Sequence, residues 1–196
     1  MRAAALLVSA LILAGCGEKA QKPVDAPAGD ITAAPSPTAA VLVAALDLDG
    51  LRLVDPASGK TRPLAFGLPR STVEQAVAKA TGITPKPSSL GECPAGPMDF
   101  AQFGPLTLNY LDGTFAGWSL RAGEPDFSTM DGIGIGSTRS EVESSRTIEA
   151  VKDSTLGYEF FVGPSSAETT MSMIFDGADR DAKIENLWAG VACNFR

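Results

Sequence analysis

Apolar and polar positions along this chain divide it into three stretches of different character. Residues 3–14 form an apolar run interrupted only by Ser9, preceded by Arg2 and closed by Gly15-Cys16. Such a run falls short of the roughly 20 residues needed to cross a bilayer. It has the basic start, apolar middle and small-residue end of a secretory signal. Residues 17–40 then lose any apolar period, with Pro23, Pro27, Pro35 and Pro37 set among alanines and scattered charges. A stretch of that kind buries too little surface to fold alone and is expected to be a tether. Its reach is roughly 75 Å if extended like polyproline and nearer 25 to 30 Å as a flexible coil.

From residue 41 to 196 the pattern becomes that of a folded domain. The run Val41-Leu42-Val43-Ala44-Ala45-Leu46, the turn signal Asp49-Gly50 and the run Leu51-Arg52-Leu53-Val54 predict a β-hairpin. Asp55-Pro56 and Ser58-Gly59 mark a further turn before an extended piece at 63–66. Helical spacing follows: Ser71-Thr72-Val73-Glu74 has the form of a capping box, Val73, Val77 and Ala80 make an apolar stripe, and Gly82 supplies a stop. A second box, Thr138-Arg139-Ser140-Glu141, stands before Val142, and Gly67-Leu68 corresponds at the same offset to Gly134-Ile135.

Each predicted helix precedes short extended runs. After the first come residues 100–103, 107–111 and 114–120, with a turn at Asp112-Gly113; after the second come 157–162, 169–175 and 183–188, with turns at Gly163-Pro164 and Asp176-Gly177. The expected class is therefore α+β: two short helix-plus-antiparallel-meander repeats, 66–120 and 133–190, preceded by a β-hairpin region.

Leu13-Ala14-Gly15-Cys16 resembles the lipobox of bacterial lipoproteins. The resemblance implies a signal peptide over 1–15, a diacylglyceryl cysteine at Cys16 with palmitate-type acylation, and a tether over 16–40. The domain at 41–196 would then face the periplasm. Gly17, rather than an aspartate, follows the cysteine, and by the enteric sorting pattern this implies the outer membrane. The stretch Gly134-Ile135-Gly136-Ser137-Thr138-Arg139-Ser140-Glu141-Val142 is similar to the Gly-x-Thr/Ser helix start of BamE-type (SmpA/OmlA) lipoproteins and of β-lactamase inhibitor proteins. That likeness implies a fold more than an activity.

Composition narrows the chemistry. The formal net charge is −7 with no basic run, so there is no electrostatic footprint for nucleic acid, and membrane attachment falls to the lipid. The chain has no histidine, which removes His-based triads, His-ligated metals and His proton shuttles. With Cys16 lipidated, Cys93 and Cys193 remain as a pair expected to form a disulfide in an oxidising periplasm. The chain-entropy treatment assigns so long a loop about 4 to 5 kcal/mol.

Other motifs carry structural readings. Asp47-Leu48-Asp49-Gly50 lacks the later ligands of a calcium loop. The glycine-rich segment 132–137 lacks the Gly-Lys-Ser/Thr of a phosphate loop. Asp176, Asp179, Asp181 and Glu185 read as a solvated acidic loop. No catalytic residue, metal site or cofactor motif is assigned. Trp118 and Trp188, near the ends of the two meanders, are the candidate interaction surface.

The expected function is a lipid-anchored, non-enzymatic periplasmic protein that binds or helps assemble another envelope protein. The alternative is a periplasmic inhibitor or small-ligand-binding module. In cells fed radiolabelled palmitate the wild-type chain is expected to take up label and the Cys16→Ala variant none; label persisting in the variant would overturn the lipobox assignment.

Overall fold

The computed structural model describes residues 42–163 and 170–195, and Cys16 and the tether lie outside them. The first three strands, β1 (Val43–Asp47), β2 (Gly50–Val54) and β3 (Thr61–Ala65), form a small antiparallel sheet in chain order. Asp47 pairs with Gly50, so Leu48 and Asp49 make the turn and Gly50 already belongs to β2. A side chain at Gly50 would stand 2.1 Å from the Leu64 carbonyl, which is why the strand starts on glycine.

Helix α1 (Arg70–Thr81) follows, with Val73 and Val77 buried. Its N-cap is Pro69, with no side-chain cap, so the box expected at Ser71 does not form. Glu74 instead accepts from Arg70 Nε at 2.7 Å, one turn back on the same face. Gly82 closes the helix in the left-handed conformation, donating its N–H to Ala78.

Four strands then run antiparallel, β4 (Lys86–Cys93), β5 (Gly96–Phe103), β6 (Leu106–Leu111) and β7 (Thr114–Arg121). Helix α2 (Arg139–Ser145) carries the capping box expected at Thr138 and Glu141, and Val142 is its buried residue. It leads to β8 (Ile148–Ala150), β9 (Tyr158–Val162), β10 (Met171–Phe175) and β11 (Ile184–Gly190). These eight strands make one antiparallel sheet in the order β4-β5-β6-β7-β11-β10-β9-β8.

The α+β class and its two separate repeats are therefore corrected. Strand accounts for 48% of the described residues and helix for 13%, which makes the domain predominantly β. Two physical facts hid this. β4 is exposed at seven of its eight positions and has no apolar alternation, so only its pairing with β5 makes it a strand. β7 and β11 pair across the whole intervening chain, merging the meanders and their cores into one.

The two helix starts are built alike, at a spacing that the capping-box comparison misplaced by two residues. Gly67 and Gly136 both have positive φ, and their N–H groups donate to Phe115 O at 2.7 Å and Ile184 O at 2.8 Å. The amides of Arg70 and Arg139 each donate at 2.9 Å, to Gly113 O and Ala182 O. Arg139 pairs with Glu143 as Arg70 does with Glu74. The guanidinium groups lie over the Tyr110 and Phe160 rings respectively.

One face of the eight-stranded sheet carries the core. Leu106, Leu108 and Tyr110 of β6, Trp118 and Leu120 of β7, and Met171, Met173 and Phe175 of β10 pack in one cluster. Val73, Val77 and Val142 of the helices join it, with Leu46, Leu51, Leu53 and Leu64 of the small sheet. Trp118 ties the two sheets together by donating its indole N–H to Asp47 O at 2.9 Å. Replacing Trp118 with Phe leaves that carbonyl without its donor and opens a small void. The expected loss of unfolding free energy is about 1–3 kcal/mol, read from denaturant midpoints. An unchanged midpoint would show that the indole N–H does not hold the small sheet in place.

Candidate functional site

Strand alternation sends the remaining side chains to the opposite face of the eight-stranded sheet, and those side chains are mostly polar. Register shows how they line up. Gln102 on β5 pairs with Thr107, Thr107 with Ser119, Ser119 with Trp188 and Trp188 with Ser172, one row across five strands. A neighbouring row runs Arg121, Asn186, Ile174 and Glu159. On the other side lie Ser88, Phe100, Asn109 and Gly117.

The C-terminal segment, residues 191–195, covers part of this open face. Val191 donates its N–H to Ala116 O at 2.9 Å, and its carbonyl accepts from Asn109 Nδ2 at 2.8 Å. Gly117 permits the approach, since a Cβ there would stand 2.2 Å from Val191 O. Cys193 then joins Cys93 at the end of β4, with Cα atoms 5.0 Å apart. The expected cysteine pair is thus brought together, and it fastens the C-terminal segment to the first strand of the large sheet.

Beside this segment the open face encloses a cavity of about 670 Å³, within the span usual for small-ligand sites. Gln102, Thr107, Asn109, Asn186, Trp188 and Asn194 contribute to its lining, and among the described residues Arg121 and Glu124 are the charged ones. Asn109 is buried and committed through its amide nitrogen, which donates to Ser119 Oγ at 3.2 Å as well as to Val191. The side chains of Gln102, Thr107, Asn186, Asn194 and Arg121 make no hydrogen bond or ion pair among the described residues. Glu159, buried at the far side of the face, accepts from Ser154 Oγ at 2.5 Å.

The two tryptophans are separated by the pleat. Trp118 is fully buried on the core face, which removes it from any interaction surface. Trp188 is on the open face, 7% exposed, at the cavity lining. The expected pair of surface tryptophans is therefore corrected: Trp118 is core, and Trp188 is a buried residue at the cavity lining. Tyr158 is exposed, while Phe115 and Phe160 fill the core.

The motifs given structural readings behave accordingly. In segment 132–137 the backbone N–H groups of Gly132, Ile133, Gly134 and Gly136 are all engaged, by Thr129, Ser137 and Ile184, leaving none of them for an anion. Asp176 accepts from its own hairpin at Lys183 N, and among the described residues no three acidic or cysteine side chains are grouped to hold a metal. Asp47 caps Leu48 and pairs with Arg52. Asp131 is held by Arg146 and Thr129, and the guanidinium hydrogen bonds lower its carboxyl to about 2. This ion pair fastens the loop before α2 to the end of that helix.

Sequence reasoning missed the amides and hydroxyls of the cavity. A signal was present: Leu106-Thr107-Leu108-Asn109-Tyr110 alternates strictly, which marks Thr107 and Asn109 as facing away from the core. What alternation does not reveal is that residues from β5, β6, β7 and β11 share one row.

Comparison with protein families, curated proteins and solved structures finds no match for this chain.

Replacing Cys193 with Ser removes the tie across a sequence separation of 100. The unfolding free energy is expected to fall by about 2–4 kcal/mol, with faster hydrogen exchange at the Val191 amide. Wild-type exchange and an unchanged denaturation midpoint would mean that the bridge does not restrain the segment.

Proposed function

We propose that this chain is a lipid-anchored, non-enzymatic binding protein of the bacterial cell envelope. The lipid on Cys16 holds it, on this reading, at the periplasmic side of the outer membrane, and residues 17–40 hold the domain clear of the lipid surface. Its binding surface is the open face of the eight-stranded sheet. The observation that carries the reading is the cavity there, whose uncommitted amides, hydroxyl and guanidinium converge from four strands and the C-terminal segment. Groups that satisfy no protein partner are available to a ligand.

The cavity favours a diffusible ligand over an envelope-protein partner, whose expected tryptophan surface loses Trp118 to the core. A protein partner is kept as the second reading on one observation, the outer edge of β4. This edge strand is eight residues long, has no strand beyond it among the described residues, and carries exposed Leu90.

The test is thermal denaturation of the detergent-solubilised full-length protein with either the low-molecular-weight or the protein fraction of an envelope extract. Stabilisation by the small-molecule fraction, lost in Asn186→Ala, is the expected result. A ligand at a hundred times its Kd adds about 2.7 kcal/mol to stability. Stabilisation by the protein fraction alone would shift the function to the β4 edge, and no stabilisation by either would sink the binding reading.

A further inference from the structure

We infer that the open-face cavity is a carbohydrate site, and this inference rests on the cavity being the ligand site of the preceding reading. Its lining excludes most other ligand classes on chemical grounds. Polyphosphates and nucleotides call for several cations or a run of free backbone N–H groups; here Arg121 is the one cation that the described residues place in the lining, and it is accompanied by Glu124. A lipid chain calls for a continuous apolar wall, whereas here Gln102, Thr107, Asn109, Asn186 and Asn194 break up the apolar surface of Phe100, Ile174, Leu187 and Trp188. An extended peptide binds through unpaired strand edges; β5, β6, β7, β11 and β10 beneath the cavity are all paired on both sides, and the edge strand β4 adds only Ser88 to the lining.

A sugar matches what remains. Each ring hydroxyl is both donor and acceptor, and each carboxamide side chain presents a carbonyl and an NH₂ group side by side. Gln102, Asn186 and Asn194 are uncommitted amides of this kind, and the free hydroxyl of Thr107 lies between Gln102 and Ser119 in the row. Asn109 keeps its carbonyl oxygen free while both bonds from its NH₂ group hold it in place, so this acceptor is pre-oriented. Phe100 and the ring of Trp188 provide the apolar surface on which the C–H face of a pyranose rests, and the Trp188 indole N–H has no protein acceptor among the described residues. Arg121, paired in register with Asn186, adds a planar fork of donors at one end.

Titrating the detergent-solubilised full-length protein with chito-, cello- and galacturonate oligosaccharides, with tri-alanine as control, tests the inference by tryptophan fluorescence. Trp118 is sealed in the core on the other face, so a ligand-dependent change reports Trp188. Saturable binding of at least one sugar and none of the peptide is expected. Gln102→Ala and Asn186→Ala should each weaken binding about tenfold, or about 1.4 kcal/mol, without changing the thermal midpoint, because neither side chain bonds to the protein. Trp188→Phe, which keeps a ring and removes the N–H, should weaken binding and abolish the fluorescence change, with calorimetry as the readout. Failure of every sugar while the small-molecule envelope fraction still stabilises the protein would overturn the carbohydrate class and leave the ligand site standing. Failure of both would overturn the two together, and binding of tri-alanine with the same variant sensitivity would reassign the cavity to peptides.

Discussion

The antiparallel pairing of β7 with β11 is the constraint on which the rest of the structure depends. Trp118 opposes Ala189 and Ser119 opposes Trp188, so the last strand of each four-stranded meander completes the other. Without this pairing each meander would end in an exposed edge of unpaired N–H and C=O groups beside a half-built core. With it, the apolar faces of both meanders become one surface, large enough to be covered by α1, α2 and the small sheet together. The contact is non-local, and its entropic cost of closure is offset only when the whole core assembles.

The same pairing creates the opposite face. Because residues alternate, joining two apolar surfaces on one side must also join two polar surfaces on the other. The resulting rows run from Gln102 to Ser172 and from Arg121 to Glu159 without a break. Among the described residues no helix covers them. Instead the last described residues cross over Gly117 and are pinned by Asn109 and by the bond between Cys193 and Cys93. That arrangement leaves a cavity at the side of the strap rather than a flat sheet, and its lining sets hydrogen-bonding groups among apolar ones, with Arg121 and Glu124 at one part.

Binding, in the function proposed, uses both ends of the chain. An anchor at Cys16 and a proline-punctuated tether confine the domain near a membrane, so a ligand confined to the same compartment meets it at high local concentration. The open face needs no moving part to do this, since its floor is formed by strands paired on both sides and its cover is held covalently. Preorganisation of that kind lowers the entropic cost of capturing a small polar molecule.

Some of this was legible in the residues. The alternation Leu106-Thr107-Leu108-Asn109-Tyr110, the Gly82 stop, the Thr138–Glu141 box and the cysteine pair each express local chemistry or simple counting, and each appears in the structure. The α+β repeats were misread because helix signals are strong over short windows, whereas β4 carries no periodic signal of its own. The two tryptophans were grouped because each lies near the end of an expected meander, and only register decides which side of the pleat each occupies. Sequence by itself thus determined several strand runs and helix ends, the charge, the absence of histidine and the Leu13-Ala14-Gly15-Cys16 stretch that resembles a lipobox, all properties of composition or of neighbours along the chain. Only the tertiary structure decided that Trp118 is core and Trp188 lines a cavity, and that amides from separate strands share one row, because a β-sheet brings together residues whose pairing no local window contains.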